Sequence, residues 1–502
     1  MDTGTMQPVV YAIAGSDCSG GAGVEADLAT FRDLGVYGCS VITALTAQNR
    51  NGVQRVTATP LEQVRASLAS LRECYPPAAV KLGMLASSDI QALVGEYLQQ
   101  VDVPVVCDPV LAASAGGTLL DDDGIAGYRE LLPRISLLTP NRDEAERLCG
   151  FAIDGPGQVE AAARYLLRLG CGAVLVTGGH LDLGDGYCYD YFCTAGMAFW
   201  LRGERIPTPH SHGTGCTLSS AIAAALGRGY ALEDAVVLGR MVVGHGLRHA
   251  RALAGGSGAV DHGSWTAQLA DLPGLWSRFP GDTQSVEFPA MDTVPMGLYP
   301  VVDSAEWVEK LFAEGVSTVQ LRVKDAEEHA LRESIRRAVA AQRRYGAQLF
   351  INDYWQLAID YRAYGVHLGQ EDIATADLAA IADAGLRLGL SNHAWHELAR
   401  AHALKPSYIA LGPIYSTTTK AMRFAPQGLA QLQQWVDTLG GHYPLTAIGG
   451  IDEARAAAVA ATGVGSIAVV RAITEAADYR RAVRRLASSL RATGGWEPMS
   501  NP

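Results

Sequence analysis

A chain of 502 residues exceeds what one hydrophobic core supports, so more than one domain is expected. Apolar residues at 48% and charged residues at 18% give the balance of a globular rather than a disordered chain. A formal net charge of -12 argues against nucleic acid or an anionic membrane as general partner, while leaving anionic small molecules to local basic groups.

No apolar run reaches the roughly 18 residues a bilayer-spanning helix needs. Residues Met1 to Pro8 show no basic-then-apolar leader pattern, so a cytoplasmic location is expected. The nine cysteines, from Cys18 to Cys216, form no CxxC pair and read as small buried apolar residues. None follows Cys216, a hint that two chains of separate origin were joined.

In chain order, Val9–Ala14, Ser40–Leu45, Val80–Gly83, Val103–Asp108, Ile135–Pro140 and Ala173–Thr177 read as strands. Amphipathic stretches such as Val24–Leu34, Leu61–Cys74 and Asp143–Cys149 lie between them. This alternation predicts a mostly parallel sheet with helices on its faces. The loop from Gly15 to Asp27 is glycine-rich but lacks the Gly-Lys-Ser/Thr ending of a P-loop. His212-Gly213-Thr214-Gly215-Cys216 leads into the apolar run Leu218–Leu226, and glycines at a helix start let backbone N–H groups face an anion. Asp108, Asn141 with Glu144, and Thr177 with Gly178-Gly179 each follow a predicted strand, and Asp108 with Glu144 suits Mg²⁺ and a triphosphate.

Residues 256–295 break the pattern and read as a linker or docking extension between a domain at 1–255 and another at 296–490, with 491–502 as a tail. Eight short apolar runs follow: Leu298–Val302, Thr318–Leu321, Leu349–Ile351, Gly365–Leu368, Leu388–Leu390, Tyr408–Leu411, Leu445–Ile448 and Ser466–Val470. Helical segments separate them, the pattern of a compact (β/α)₈ barrel whose chemistry sits on the loops after the strands. Arg322 and Lys324 share one side of a strand end, and Lys420 lies on a later loop, a set suited to an oligophosphate. Asp353 and Asp372 are oxygen ligands suited to Mg²⁺, and Gly449-Gly450 matches the usual barrel phosphate site. His393 and His396 lack a third ligand nearby and read as rim residues.

The segments Gln320-Leu321-Arg322-Val323-Lys324-Asp325, Asn352-Asp353, His367–Asp372, Thr417-Thr418-Thr419-Lys420 and Ala447–Ile451 resemble thiamine-phosphate synthase over about 297–490. That resemblance implies a TIM barrel that joins hydroxymethylpyrimidine diphosphate to a thiazole monophosphate. It places the Gln320–Lys324 segment, Leu321 and Val323 included, with Asn352 and Ser391 on the pyrimidine diphosphate. Thr417, Thr418, Thr419, Gly450 and the backbone at Val470-Arg471 fall on the thiazole phosphate. Arg471 stands where the family usually has serine. It reads either as an added cation or as an outward side chain whose backbone does the binding, and the second is expected.

Residues 8–250, with Thr46–Asn49, Lys81–Leu85 and His212–Cys216, resemble the hydroxymethylpyrimidine kinase/phosphomethylpyrimidine kinase family, with the ribokinase-like three-layer α/β/α fold. The resemblance implies that Gln48 bonds the aminopyrimidine, that Asp27 and Met84 line its pocket, and that Gly213 and Gly215 form the anion hole. Asp108, Asn141, Glu144, Thr177 and Gly179 then belong to the ATP side. Some relatives carry lysine where this chain has Ser114 and Thr177. Cys216 replaces the aspartate base of related sugar kinases. At a helix N-terminus its thiol is expected to fall below its ordinary pKa and to help deprotonate the first alcohol. The alternatives are a pyridoxal-type kinase or a non-catalytic pyrimidine-binding module in the first half, and a thiazole tautomerase in the second. A homodimer through the kinase half is also expected.

Overall fold

The computed structural model describes residues 6–491 apart from 50–51, 112–121, 181–182, 254–255, 264, 283–285, 325 and 418–424. Ser114, Thr418, Thr419 and Lys420 therefore lie outside the described residues. The chain divides into two compact units, Met1–Thr283 and Gln284–Pro502.

The first unit is built on one sheet. Its strands are β1 (Val9–Asp17), β2 (Tyr37–Asn49), β3 (Gly52–Ala58), β4 (Ala79–Leu82), β5 (Val105–Cys107), β6 (Leu137–Leu138), β7 (Ala173–Val176), β8 (Tyr187–Thr194), β9 (Ala198–Glu204) and β10 (Gly274–Trp276). Among the described residues the order is β10-β9-β8-β7-β6-β5-β4-β1-β2-β3. The central pairs from β7 through β1 to β2 are parallel, while β3, β8, β9 and β10 add antiparallel edges. β4 and β7 are buried at every position, as strands covered on both faces must be.

The helix Thr214–Gly227 is rich in Ala and Ser and almost wholly buried, an apolar-all-round pattern that belongs inside a fold. It packs on β1, β4 and β5 and on the helices Gly23–Asp33 and Leu232–His249. Its N-terminus therefore shares a neighbourhood with the loops after these strands, where ligands of open parallel sheets bind.

The stretch 256–295, expected to be a linker or docking extension, divides between the units. In the first, β10 pairs with β9. Gly258 N donates to His210 Nδ1 at 2.8 Å, Val260 N donates to His212 O at 3.1 Å, and Arg248 binds the Asp271 carboxylate. In the second, Met291 and Met296 join the barrel core.

The second unit is a closed eight-stranded barrel. Its strands are β11 (Gly297–Val302), β12 (Thr318–Leu321), β13 (Gln348–Asn352), β14 (Gly365–Leu368), β15 (Arg387–Asn392), β16 (Tyr408–Leu411), β17 (Leu445–Ile448) and β18 (Ser466–Val469). Every pairing is parallel, and β18 closes on β11 with Gly297 opposite Ser466. Each observed strand lies within two residues of the expected apolar run. The interior is filled by Tyr299, Val301, Phe350, Tyr408, Ala410 and Ala468. Leu311, Ile335, Leu398 and Leu432 are buried on the outer helices, so the barrel is a packed core rather than a pore.

Two candidate active sites

In the first unit the loop after β1 and the start of helix Thr214–Gly227 meet. Asp17 is buried and accepts from Ser19 N at 2.8 Å, from Ser19 Oγ at 2.7 Å and from Ala22 N at 3.0 Å, and it faces His212 Nε2 at 2.9 Å. Burial alone would raise this carboxyl. The hydrogen bonds from His212 and Ser19, with a further one from Gln48, outweigh burial and hold it well below the usual range. Gln48, expected on the pyrimidine, thus lies beside Asp17, and its carbonyl also accepts from Cys18 Sγ at 3.3 Å. Gly213 is the N-cap at φ 86°, where a Cβ would stand 1.9 Å from Gly21 O, so only glycine fits. Met84 is buried, with its Cε near Gly15.

Asp108, Cys216 and Lys81 converge beside that helix start. A Cβ on Gly215 would lie 3.3 Å from Asp108 Oδ2. Burial raises Asp108 to about 6, with Asp27 adding to it and Lys81 opposing. Glu144 rises further, to about 8, through burial first and then the Asp108 charge. A buried carboxyl raised by a second one beside it marks a site that gains from a divalent cation.

Two expectations need correction here. Asp27 does not line an open pocket. It is fully buried, both its oxygens take Lys81 Nζ at 2.8 Å, and Oδ1 also accepts from Ser220 Oγ at 2.7 Å. Burial alone would lower Lys81, but Asp27, Cys216 and Asp108 outweigh it and keep the ammonium charged. Cys216 is not lowered by its helix terminus. The thiol retains partial surface, yet burial pushes it up to about 12, Asp27 and Asp108 add to the rise, and Lys81 only partly offsets them. Asn141 and Glu144 form a capping box on helix Arg142–Cys149, with Glu144 N donating to Asn141 Oδ1 at 3.0 Å and Asn141 N to Glu144 Oε2 at 2.9 Å. The Asn141-x-x-Glu144 spacing thus serves the start of this helix as well. Thr177 N donates to Pro140 O at 2.9 Å, and Gly179 is exposed with open space at its Cα.

In the second unit the expected residues gather at the ends of β12, β13 and β14. Lys324 Nζ donates to Asp353 Oδ2 at 2.8 Å. Asp353 adopts φ 64°, a left-handed conformation that Asp tolerates better than most residues. Asp372 Oδ2 accepts from Gly369 N at 3.0 Å and caps the short helix Gln370–Ile373. Burial raises Asp372, and the neighbouring charge and hydrogen bond of Asp353 raise it further, against the pull of Lys324. Neighbouring carboxylates beside a cation suit Mg²⁺, which takes one or two carboxylates and completes its shell with phosphate oxygens and water. Arg322 follows β12 and is close enough to His367 to disfavour its protonation. The Asn352 side chain is buried at the end of β13.

Gly450 at φ 65° follows β17, where a Cβ would meet Ser416 O at 2.5 Å. Thr417 is half-buried on the preceding loop, and Arg471 is exposed at the start of helix Arg471–Thr474. His393 binds Glu397 Oε2 through Nδ1 at 2.9 Å and through its backbone N–H at 2.6 Å, which ties it to its own helix.

Sequence reasoning missed a polar chain inside the barrel. Gln320 Nε2 donates to Tyr299 Oη at 3.0 Å, and Tyr299 Oη meets Tyr408 Oη at 2.7 Å. Tyr408 Oη meets His367 Nδ1 at 2.6 Å, and His367 Nε2 meets Ser391 Oγ at 2.8 Å. Burial lowers His367 to about 4, so the ring is neutral near pH 7. The strand phase of Tyr299, His367 and Tyr408, each pointing into the barrel, was the available signal.

Comparison with known proteins decides between the readings left open. The phosphomethylpyrimidine kinase family model matches residues 17–261, and the thiamine monophosphate synthase model matches 298–473. The thiamine-phosphate synthase of Pectobacterium atrosepticum is 60% identical over 191 residues, covering 38% of this chain and 90% of that protein. That of Salmonella typhimurium is 59% identical over 200 residues, or 94% of its length. A phosphomethylpyrimidine kinase structure from Clostridium difficile is 36% identical, covers 47% of this chain and 98% of its own, and superposes with a TM-score of 0.42. The chain belongs to both families.

It is a bifunctional transferase of thiamine biosynthesis, with a ribokinase-like kinase unit followed by a TIM-barrel synthase unit. The tautomerase reading of the barrel and the non-catalytic reading of the first unit fall away. A Staphylococcus aureus pyridoxal kinase, solved with ADP, is 28% identical over 52% of this chain and 95% of its own, with a TM-score of 0.49. Among the described residues no helix is long and apolar enough to cross a membrane.

Proposed function

We propose that Arg322, Lys324 and Lys420 hold the departing pyrophosphate of hydroxymethylpyrimidine diphosphate, with Asp353 and Asp372 as Mg²⁺ ligands. Mg²⁺ there supplies neutralisation of charge on the leaving oxygens. The pyrimidine-CH₂–O bond breaks with its electron pair going to pyrophosphate, and the lone pair of the thiazole nitrogen closes the new C–N bond. That nitrogen carries no proton, so no general base is required. The task of the protein is electrostatic stabilisation and positioning. Gln320, Asn352 and Ser391 take the pyrimidine. Thr417, Thr418, Thr419, Gly450 and the backbone at Val470-Arg471 take the thiazole phosphate.

In the kinase unit ATP phosphorylates hydroxymethylpyrimidine and then its monophosphate. The N–H groups at Gly213, Gly215 and Cys216 cradle the transferring phosphoryl group, with Gln48 and Met84 on the pyrimidine. Asp108 and Glu144 hold Mg²⁺ beside the triphosphate, with Asn141, Thr177 and Gly179 nearby. Cys216 acts as a small neutral thiol rather than a base, consistent with a loose phosphoryl-transfer transition state that asks for little proton removal.

The observation that carries the synthase reading is the contact of Lys324 with Asp353 beside Asp372. Asp353→Asn tests it, because Asn also tolerates the left-handed backbone. The Mg²⁺ concentration for half-maximal synthase rate should rise at least about tenfold. An unchanged requirement removes Asp353 from the metal site.

A further inference from the structure

The chain from Gln320 to Ser391 has a direction. Each hydroxyl carries one proton and a neutral imidazole carries one N–H. Once Gln320 Nε2 donates to Tyr299 Oη, Tyr299 has its own proton left for Tyr408, and Tyr408 has its proton left for His367 Nδ1. His367 must then carry its hydrogen on Nε2 and donate to Ser391 Oγ. With Gln320 donating, reversing the later links would leave the buried Tyr299 hydroxyl proton without a partner. Left over at the ends are the Ser391 O–H proton and Gln320 Oε1, since the Gln320 amide reaches the Tyr299 and Tyr408 hydroxyls as a donor.

We propose that this relay sets the hydrogen-bond polarity with which the synthase site reads its pyrimidine. Gln320 Oε1 is held as an acceptor and Ser391 Oγ as a donor, with Tyr299, Tyr408 and His367 as positioning residues. An acceptor beside a donor matches the edge formed by a 4-amino group and the unprotonated ring nitrogen next to it. A 4-oxo pyrimidine presents the opposite edge, a carbonyl and a ring N–H, and would meet acceptor with acceptor and donor with donor. Buried polar groups left unpaired in this way reject a mismatched ligand strongly. Selection for the amino form also suits the chemistry, since the amino group feeds electrons to the carbon that loses pyrophosphate. The inference rests on the assignment of Gln320 and Ser391 to the pyrimidine.

Two measurements on the full chain test it. Nitrogen-15 NMR of the histidine-labelled protein at pH 7, with the His367 signals assigned by their loss in His367→Asn, should show the hydrogen on Nε2. A hydrogen on Nδ1 reverses the relay and overturns the proposal. In Tyr408→Phe, or in Tyr299→Phe should the first variant fold poorly, the preference in kcat/KM for the 4-amino over the 4-oxo diphosphate should fall at least about tenfold. The KM of the thiazole phosphate should stay within about twofold. An unchanged preference with a uniformly lower rate reduces these residues to packing and overturns the proposal. The parent assignment fails separately: Ser391→Ala would then leave the pyrimidine diphosphate KM unaltered while the His367 tautomer remained as stated.

Discussion

Lys324 Nζ stands 2.8 Å from Asp353 Oδ2, and Asp353 in turn lies against Asp372, so one ammonium and two carboxylates from the ends of three barrel strands share one site. The arrangement is poised for exchange. When a diphosphate enters, the ammonium can pass from the carboxylate to the phosphate oxygens, and Asp353 and Asp372 would be the residues to hold the proposed Mg²⁺. Each charge keeps a partner before and after binding.

Lys324→Ala should therefore lower the synthase kcat by about 10²–10³, the loss typical of removing one group that stabilises transition-state charge. The change in stability should be under about 1 kcal/mol, because the ion pair is half-exposed. Pyrophosphate release followed in parallel with urea unfolding separates the two effects. A large loss of stability with kcat intact would mark the pair as structural.

The carboxyls of the kinase unit predict a pH dependence of stability. Glu144 rises from an ordinary value of 4.5 to about 8, so between these values the folded protein holds a proton that the unfolded chain has released. Stability contributed through this group is full below pH 4.5 and is lost as pH climbs toward 8. Glu144→Gln keeps a side chain able to complete the capping box and removes the titration. The stability of the variant relative to the parent should increase across that window, as read from urea midpoints at stepped pH. A constant difference between the two proteins would show that Glu144 does not hold the proton.

The pair formed by Asp27 and Lys81 is wholly buried. Lys81→Met leaves a buried carboxylate uncompensated and should cost about 3–5 kcal/mol in the unfolding of the kinase unit. The double variant Asp27→Leu with Lys81→Met should recover most of that loss. A double variant no better than the single would show that the pair is not the source of the cost.

Cys216, raised to about 12, should alkylate slowly at pH 8, and its rate should still be climbing at pH 10. A thiolate titration below pH 8.5, followed by mass spectrometry, would restore the base role that its helix position had suggested.

The barrel was legible almost in full because each strand is a short apolar run bounded by Gly, Pro, Asn or Asp, and the polar residues follow at the strand ends. The antiparallel edge of the first sheet was not. Tyr187–Thr194 mixes Tyr, Cys and Asp, and β10 has three residues, too few for a period to show. Asp27 was placed in a pocket by the family resemblance, and its partner Lys81, 54 positions away in the chain, gave no local sign of the buried pair. Asn141-x-x-Glu144 also carried a local signal, the capping box of its own helix, that was not read from the sequence. His367 was read only as part of the His367–Asp372 segment and Tyr408 only as a strand residue, since nothing in their spacing shows that they meet across the barrel.

A single reaction mixture bears most directly on the account: the full chain with hydroxymethylpyrimidine, ATP, Mg²⁺ and thiazole phosphate, followed by separation of the products. Thiamine phosphate and pyrophosphate should form, with two ADP for each thiamine phosphate. Accumulation of pyrimidine diphosphate without thiamine phosphate, or no consumption of the pyrimidine at all, would contradict it.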